Sequence, residues 1–316
     1  MQYKLRKKGL VVGIIVLFVG VSIIPSTGMI KKSSISSSIL YVGGDGPGNY
    51  SKIQDAIDNA SSGNTVFVYN GTYYENVVID KSITLIGENK DTTIIDGSGG
   101  GDVVRVIADS ITFKEFTIQN SGGGEVNWDA GIEVYESNYN TIINNTVIGP
   151  TNHDDQAVDL WLRSSDSNKI NGNAFSNNQY GLVLWDSNTN DIFENLICNS
   201  SYYGISLSQS SNNNQIFHNK FINNGNNSWD EDNNNWDYGY PSGGNYWSDY
   251  IGLDADSDGI GDTPYDILGG SNQDNYPLMY PYYPTHPETV YVDDDYDIST
   301  PGFGYDKFNR IQYGIN

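Results

Sequence analysis

Four segments of this 316-residue chain share one pattern, and that pattern limits the fold more than any other feature of the sequence. The segments are NTIINNTVI from Asn140, NKINGNAFS from Asn168, NDIFENLIC from Asn190 and NQIFHNKFI from Asn214. Each places isoleucine third, asparagine sixth and an apolar residue eighth, and their starts lie 28, 22 and 24 residues apart. A unit this short cannot bury its apolar face alone, so we expect successive units to stack as coils.

A second block of alternating residues precedes each of these segments. The blocks are GIEVYES from Gly131, AVDLWLR from Ala157, GLVLWDS from Gly181 and GISLSQS from Gly204. Alignment on their first residues predicts one set of inward-pointing side chains: Ile132, Val158, Leu182 and Ile205, together with Val134, Leu160, Leu184 and Leu207. We expect the repeated asparagines to form ladders in which each side-chain amide pairs with the next coil. These features predict a parallel β-solenoid.

Helix is expected in one place. Apolar residues recur at i, i+3, i+4 and i+7 within residues 51–60, which favours a short amphipathic helix there: Ile53, Ala56, Ile57 and Ala60. Elsewhere Ala, Glu, Lys and Arg are scarce while Asn, Gly, Ser and Tyr are abundant, as in a β-rich chain with many turns.

The stretch YVGGDGPGNYSKIQDAIDNASSGNTVFVYNGTYYENVVIDKSITLIGE resembles the opening segment of many pectin-lyase-like β-helices. The coils, followed by GGNYWSDY, DADSDGIGDTPYDI and DNYPLMYP, are similar to the NosD-like family and its relatives among archaeal surface proteins. The resemblance implies an all-β fold, a right-handed parallel β-helix over residues 40–224 with a short N-terminal capping helix. An irregular aromatic and acidic tail is then expected over residues 225–284. The superfamily contains lyases, esterases, glycosidases, adhesins and inactive surface modules, so the resemblance predicts the fold and leaves the activity open.

The two ends of the chain carry separate signals. Residues 1–28 have the layout of a signal peptide, because basic residues precede an apolar run over residues 10–24 that ends in Pro25 and small residues. That run is shorter than a membrane span of about 20 residues, so export is the main interpretation and an uncleaved membrane anchor the alternative. Residues 285–316 restate the opening segment as YVDDDYDISTPGFGYDKFNRIQYGI, which predicts the start of a truncated second β-helix.

Charge narrows the choice of partners. The net charge of −23 argues against a nucleic-acid ligand and favours dissolved cations such as the calcium that an exported chain meets. Cys198 is the single cysteine, so no intrachain disulfide can form. We expect a secreted or cell-surface protein whose partner is a polysaccharide or a cell-envelope glycan.

Two carboxylates give the chain an enzymatic alternative. In the block alignment, Glu133 and Asp159 occupy the same outward position on adjacent coils, about 5 Å apart from strand spacing. That separation is near the one used by retaining glycosidases and predicts a polysaccharide-active enzyme. Carboxylates that are only solvated on an acidic surface predict no catalysis, and a non-catalytic protein is our main interpretation. HDDQAVDL also resembles a segment of pectin methylesterases, but the other motifs of that family do not follow, so Gln156 is interpreted as a turn residue.

A role in copper-site maturation, which the NosD resemblance implies, requires soft ligands. The available side chains are scattered, and no two have ligand spacing: His153, His218, His286, Cys198, Met279 and Met29. Copper handling therefore stays an alternative without a ligand set.

Aromatic residues give a more regular signal for sugar binding. In the block alignment, Tyr135, Trp161 and Trp185 share one outward position on three successive coils. Stacked aromatic faces on a rigid surface suit the apolar faces of sugar rings, and flanking carboxylates can bond the hydroxyl groups. The alternative is that the aromatic tail folds back and buries this stripe, because exposed apolar patches of that size are rare.

The acidic segment DADSDGIGD resembles a calcium loop. Asp254, Asp256, Asp258 and Asp262 stand at loop positions 1, 3, 5 and 9, and Gly259 stands at position 6, where EF-hand loops turn sharply. The carbonyl of Ile260 would serve at position 7, whereas Tyr265 replaces the bidentate glutamate of position 12. We predict a weak structural Ca²⁺ site that holds the tail.

Overall fold

Three parallel sheets of eight, eight and seven strands run along the chain, and each complete coil contributes one strand to each sheet. The computed structural model describes residues 38–122, 128–149 and 157–282, with the backbone of residues 291–292 and 307–308. The predicted fold class is confirmed, since these parallel sheets form a β-solenoid and the described part has one short helix, α1 (Ile53–Asn59). No helix among the described residues is long and apolar enough to cross a membrane.

The strands fall into sheets as follows. The first sheet contains β1 (Ile39–Val42), β2 (Thr65–Val68), β5 (Thr84–Gly87), β8 (Thr112–Lys114), β11 (Thr141–Ile143), β14 (Lys169–Asn171), β17 (Asp191–Phe193) and β20 (Gln215–Phe217). The second sheet contains β3 (Gly71–Tyr74), β6 (Thr93–Asp96), β9 (Thr117–Gln119), β12 (Thr146–Ile148), β15 (Ala174–Ser176), β18 (Leu196–Cys198), β21 (Lys220–Ile222) and β23 (Tyr246–Trp247). The third sheet contains β4 (Val77–Ile79), β7 (Val104–Val106), β10 (Asp129–Tyr135), β13 (Ala157–Arg163), β16 (Tyr180–Trp185), β19 (Tyr203–Ser208) and β22 (Asn226–Asp230). Two short pairs complete the set: β24 (Tyr265–Asp266) with β25 (Gln273–Asp274), and β26 (Tyr291–Val292) with β27 (Lys307–Phe308).

The repeated isoleucines form the predicted core stack. Ile142, Ile170, Ile192 and Ile216 pair in register on four successive strands of the first sheet, and each is fully buried. Because neighbouring parallel strands lie about 4.8 Å apart, these side chains contact their equivalents above and below. One continuous apolar core results.

Two asparagine ladders line the turns, as expected. The first joins Asn140, Asn168, Asn190, Asn214 and Asn234, and the second joins Asn145, Asn173, Asn195, Asn219 and Asn245. At each step the Oδ1 of one asparagine accepts both the backbone N–H and the side-chain Nδ2–H of the preceding one, for example Asn140 on Asn168 at 2.9 Å. The ladders thereby satisfy buried polar groups that short turns leave without sheet partners.

Buried carboxylates end both ladders at the C-terminal cap. Asn234 donates to Asp230, and the backbone N–H of Asn245 donates to Asp274. Two tryptophans close the core: Trp236 donates from Nε1 to Asp230 at 2.8 Å, and Trp247 donates to Asp274 at 2.9 Å. The predicted tail therefore caps the β-helix, and its residues 226–230 and 246–247 join the parallel sheets.

The third sheet departs from the block alignment by two residues. Ile132 pairs with Leu160, and Leu160 pairs with Leu182, so AVDLWLR is displaced by two positions relative to both neighbours. Side chains alternate between the inward and outward faces of a strand with a period of two residues. A displacement by two residues therefore keeps every side chain on the same face, and the alternation in the sequence cannot reveal it. The prediction that Val158 joins the core is wrong, since Val158 packs in a separate cluster with Trp161 and Val183.

Candidate functional site

A continuous row of aromatic rings covers one side of the third sheet. Its members, which we call the aromatic ridge, are Trp128, Trp161, Trp185, Tyr180, Tyr202, Tyr203 and Trp229. Each ring contacts another member, with centroids 4.4 to 5.7 Å apart along the row. The strands that carry the ridge pair in the order β10, β13, β16, β19 and β22, so the rings follow the axis of the solenoid.

The rings of the ridge differ in exposure. Trp161 is only 6% exposed, because Trp128 and Trp185 lie against it at 5.7 and 4.9 Å. Tyr202 is 48% exposed, and the remaining members are half-buried. Trp161 therefore supports the ridge from below, and the other rings form its surface.

At one end of the ridge, Glu133 lies between two arginines. Its Oε1 accepts a hydrogen bond from Nη1 of Arg163 at 2.9 Å, and Nε of Arg105 lies 2.9 Å from its Oε2 without hydrogen-bond geometry. The Glu133 side chain is 3% exposed, whereas those of Arg105 and Arg163 are 42% and 37% exposed. Both guanidinium groups lie over the ring of Tyr135, at 5.1 and 4.8 Å, and Arg163 also lies 4.5 Å from the ring of Trp161.

Two aspartates adjoin this group. Oδ1 of Asp102 accepts the backbone N–H of Ala130 at 2.8 Å. Burial, opposed by that hydrogen bond and reinforced by the carboxylates of Glu133 and Asp129, raises the pKa of Asp102 to about 7. Burial also raises the pKa of Asp129. The raised pKa favours the neutral form of Asp102 more than in an exposed aspartate, which lowers the negative charge beside the arginines.

The proposed catalytic pair of Glu133 and Asp159 is not formed. Glu133 pairs with Trp161, while Asp159 lies between Val158, the partner of Ala130, and Leu160, the partner of Ile132. Asp159 thus occupies the register position of Gly131, its side chain is fully buried, and its Oδ1 accepts a hydrogen bond from Asn178 at 3.3 Å. Burial holds the pKa of Asp159 well above its usual range. The prediction of an outward pair is wrong because of the two-residue displacement.

The predicted sugar-binding stripe is rearranged for the same reason. Tyr135 pairs with Arg163 rather than Trp161, and Trp185 also pairs with Arg163. The rings of Trp161 and Trp185 nevertheless lie 4.9 Å apart, while Tyr135 joins them only through Arg163.

Two aromatic rings of the tail lie at the end of the core rather than on the stripe. Trp247 stacks on Phe221 at 4.4 Å, and Tyr265 stacks on Trp247 at 4.2 Å, so these tail rings close the end of the core. The alternative in which the tail buries the stripe is therefore wrong for these rings.

The sequence patterns did not identify five residues of the ridge: Trp128, Tyr180, Tyr202, Tyr203 and Trp229. A signal was present, because tyrosine directly precedes both Gly181 and Gly204, one residue outside the aligned blocks. The arginine at position 105 was also missed, since its coil carries only part of the repeat.

The acidic loop brings three of its predicted ligands together. One carboxylate oxygen from each of Asp254, Asp256 and Asp258 lies within 4.8 Å of the others, and Gly259 has a φ of +89°, in the region that favours glycine. Asp262 instead accepts the backbone N–H of Ala255 at 2.7 Å. Ile260 donates its N–H to Asp258 at 2.8 Å. Calcium binding at Asp254, Asp256, Asp258, Ile260 and Asp262 stays a prediction.

The described residues do not fit a copper site. Nε2 of His218 lies 2.8 Å from the carbonyl oxygen of Ser242, and its ring stacks on Tyr282 at 3.6 Å. Cys198 pairs with Ile222 on the neighbouring strand. Within residues 38–122, 128–149 and 157–282, the acidic loop is the one place where three His, Cys, Asp or Glu side chains converge, and copper prefers softer donors than carboxylates. His153, Gln156, His286 and Met29 lie outside the described residues.

Comparison with known proteins places the chain in a family. The family profile described as periplasmic copper-binding protein (NosD) matches residues 57–252. The "Probable ABC transporter binding protein NosD" of Pseudomonas aeruginosa is 31% identical over 122 residues, 39% of this chain and 23% of that protein. Its counterpart in Stutzerimonas stutzeri is 30% identical over 151 residues, 43% of this chain and 34% of that protein.

Pectinesterases are also similar. Pectinesterase/pectinesterase inhibitor 18 of Arabidopsis thaliana is 31% identical over 148 residues, 45% of this chain and 23% of that protein, so the chain spans a minor part of the curated relatives it matches. Among solved structures, pectin methylesterase from carrot aligns over 65% of this chain and 85% of that chain with 16% identity and a TM-score of 0.33. Because the profile matches more than half of its length, the chain belongs to the NosD family, and its fold is a parallel β-helix.

Proposed function

We propose that this protein is exported and binds a polysaccharide or cell-envelope glycan along the aromatic ridge, without cleaving it. The observation that carries this proposal is the ridge itself, seven contacting rings on one side of a regular sheet. Aromatic rings present large apolar areas with little conformational freedom to lose, and they suit the apolar faces of sugars.

The spacing of the coils supports an extended ligand. Five paired strands carry the ridge, each about 4.8 Å from the next, so the row is about 20 Å long. A linear glycan that lies along the solenoid axis meets rings at successive coils. The rigid stack of coils holds those rings in place before the ligand arrives, which lowers the entropic cost of binding.

A polysaccharide-active enzyme is the second candidate, and Asp102 is the observation that favours it. A carboxyl group with a pKa of about 7 next to a second carboxyl group, that of Glu133, supplies the pair of acidic side chains that general acid–base chemistry needs at the end of the ridge. Release of reducing or unsaturated sugar, abolished by Asp102→Asn, establishes the enzyme; the binding proposal predicts no such release.

We also propose that Ca²⁺ binds the acidic loop and stabilises the cap. The convergence of Asp254, Asp256 and Asp258 supports this role, because carboxylates so close repel one another unless a cation lies between them.

Isothermal titration with a panel of soluble polysaccharides tests the binding proposal. The variant carries Trp185→Ala and Tyr202→Ala, which remove two surface rings of the ridge. The control is Tyr74→Ala, because Tyr74 is 72% exposed on the second sheet, outside the ridge. We expect the double variant to lose at least tenfold in affinity while the control binds like wild type. Equal affinity of all three proteins, or no binding by any, refutes the proposal.

A further inference from the structure

The chain's few arginines are placed unevenly. It has four, at positions 6, 105, 163 and 310, in a protein of net charge −23. The two in the described part, Arg105 and Arg163, both contact Glu133 at the end of the aromatic ridge. Two of the chain's four arginines therefore lie side by side in an acidic protein, next to the rings that are proposed to bind sugar.

The two guanidinium groups are held in place, and Glu133 contacts only some of their N–H donors. Tyr135 lies beneath both, at 5.1 and 4.8 Å, which fixes their planes through cation–π contacts. Each guanidinium has five N–H donors, and Glu133 is contacted through Nε of Arg105 and Nη1 of Arg163. With 42% and 37% of the side chains exposed, donors remain on the solvent side of the pair.

Two guanidinium groups contact one buried carboxylate, that of Glu133, so the cations outnumber the anion that both of them contact. Asp102 and Asp129 adjoin Glu133, and burial favours the neutral form of both carboxyl groups. A planar guanidinium binds a carboxylate through two parallel hydrogen bonds, a geometry that hydroxyl groups of neutral sugars do not offer.

We propose that Arg105 and Arg163 form a subsite for the carboxylate of a uronic acid, so that the ridge takes an acidic polysaccharide rather than a neutral one. This inference rests on the proposed function and names its ligand class. The sugar faces lie on the rings, and a carboxylate at the Tyr135 end meets the free guanidinium edges. Glu133 is then a positioning residue that holds the arginines and competes with the ligand for them.

The experiment compares three probes on the full chain by calorimetry: an oligogalacturonate, a neutral gluco-oligosaccharide of equal length and a sulfated neutral oligosaccharide. Salt of about 0.15 M shortens the Debye length to about 8 Å and screens the repulsion between the acidic protein and acidic probes. The variants are Arg163→Lys, which keeps the charge but removes the planar fork, Arg105→Gln, and Glu133→Gln. Thermal unfolding of each variant establishes that it is folded.

We expect the ratio of uronate to neutral affinity to fall about ten- to a hundredfold in Arg105→Gln, the loss of a charge-assisted contact, and to fall less in Arg163→Lys. Glu133→Gln should raise that ratio, because it frees both guanidinium groups. A merely structural role for the three residues predicts no rise. Equal binding of uronate and neutral probes, with ratios unchanged in the variants, overturns the inference and leaves the proposed function standing. Equal binding of the sulfated probe overturns the assignment to uronates, and binding of none of the probes overturns both proposals.

Discussion

Removal of one rung from an asparagine ladder should destabilise the β-helix far more than removal of an exposed asparagine. In the second ladder, Oδ1 of Asn195 accepts hydrogen bonds from the backbone N–H and Nδ2 of Asn173, both at 3.0 Å. Nδ2 of Asn195 donates to the carbonyl oxygen of Ile170 at 2.9 Å and to Oδ1 of Asn219 at 3.0 Å. Asn195→Ala leaves the buried N–H of Asn173 without its acceptor.

The magnitude follows from these contacts. An unsatisfied buried backbone donor costs about 1–3 kcal/mol, and each further lost hydrogen bond about 1 kcal/mol. We therefore expect Asn195→Ala to lower the free energy of unfolding by about 3–5 kcal/mol. The control is Asn59→Ala, because Asn59 is exposed and makes one side-chain hydrogen bond, to the carbonyl oxygen of Asp55. Its cost should stay below about 1 kcal/mol.

Urea unfolding followed by far-ultraviolet circular dichroism measures both variants. Coils of a solenoid are stabilised mainly by their neighbours, so the loss at Asn195 should also weaken the coils on either side. A loss below about 1 kcal/mol for Asn195→Ala, or one equal to that of Asn59→Ala, refutes the reasoning that the ladders stabilise the fold.

Three further predictions concern the core, the buried acid and the acidic loop. Ile192→Asp places an unpaired charge in the core stack and should cost several kcal/mol; wild-type thermal stability of this variant contradicts the observed register. Burial raises the pKa of Asp159 in the folded state. The folded protein therefore binds more protons at this residue than the unfolded chain does. As a result, Asp159 lowers the free energy of unfolding as the pH rises from about 4 through the folded pKa. The stability advantage of Asp159→Asn over wild type should therefore grow with pH in urea unfolding series, and a constant difference contradicts the burial of that carboxyl. Calcium at about 10 mM should stabilise the wild type by about 2.7 kcal/mol for a Kd of about 10⁻⁴ M. A variant that carries both Asp256→Ala and Asp258→Ala should be stabilised little by calcium. If both proteins respond equally in melting series with EDTA and with calcium, the loop is only an acidic turn.

The repeats were sufficient to predict the coils, because each repeat contains both its own core residue and the asparagine at its turn. Ile142 and its equivalents recur with the asparagines that turn the chain, so stacking the coils brings like residues together. The register of the third sheet was not predictable from alternation, because a two-residue displacement leaves the pattern unchanged. That displacement separated Glu133 from Asp159 and brought Glu133 between Arg105 and Arg163.

The cap and most of the ridge depend on contacts that no repeat encodes. Trp236 and Trp247 close the core through buried aspartates that lie 6 and 27 residues away in the sequence. Trp128 contacts Trp161 from outside the aligned blocks. Single aromatic residues in irregular segments carry no periodic signal, so only the folded structure shows which of them meet.

The central claim is that a glycan lies along the aromatic ridge, and hydroxyl-radical footprinting with mass spectrometry tests it most directly. The full chain is oxidised with and without a saturating polysaccharide, and modification is read at Trp185 and Tyr202 on the ridge and at Tyr74 and Tyr238 elsewhere, which are 72% and 62% exposed. We predict strong protection of Trp185 and Tyr202 and unchanged modification of Tyr74 and Tyr238. Protection confined to residues outside the ridge, with Trp185 and Tyr202 modified as in the free protein, contradicts the account.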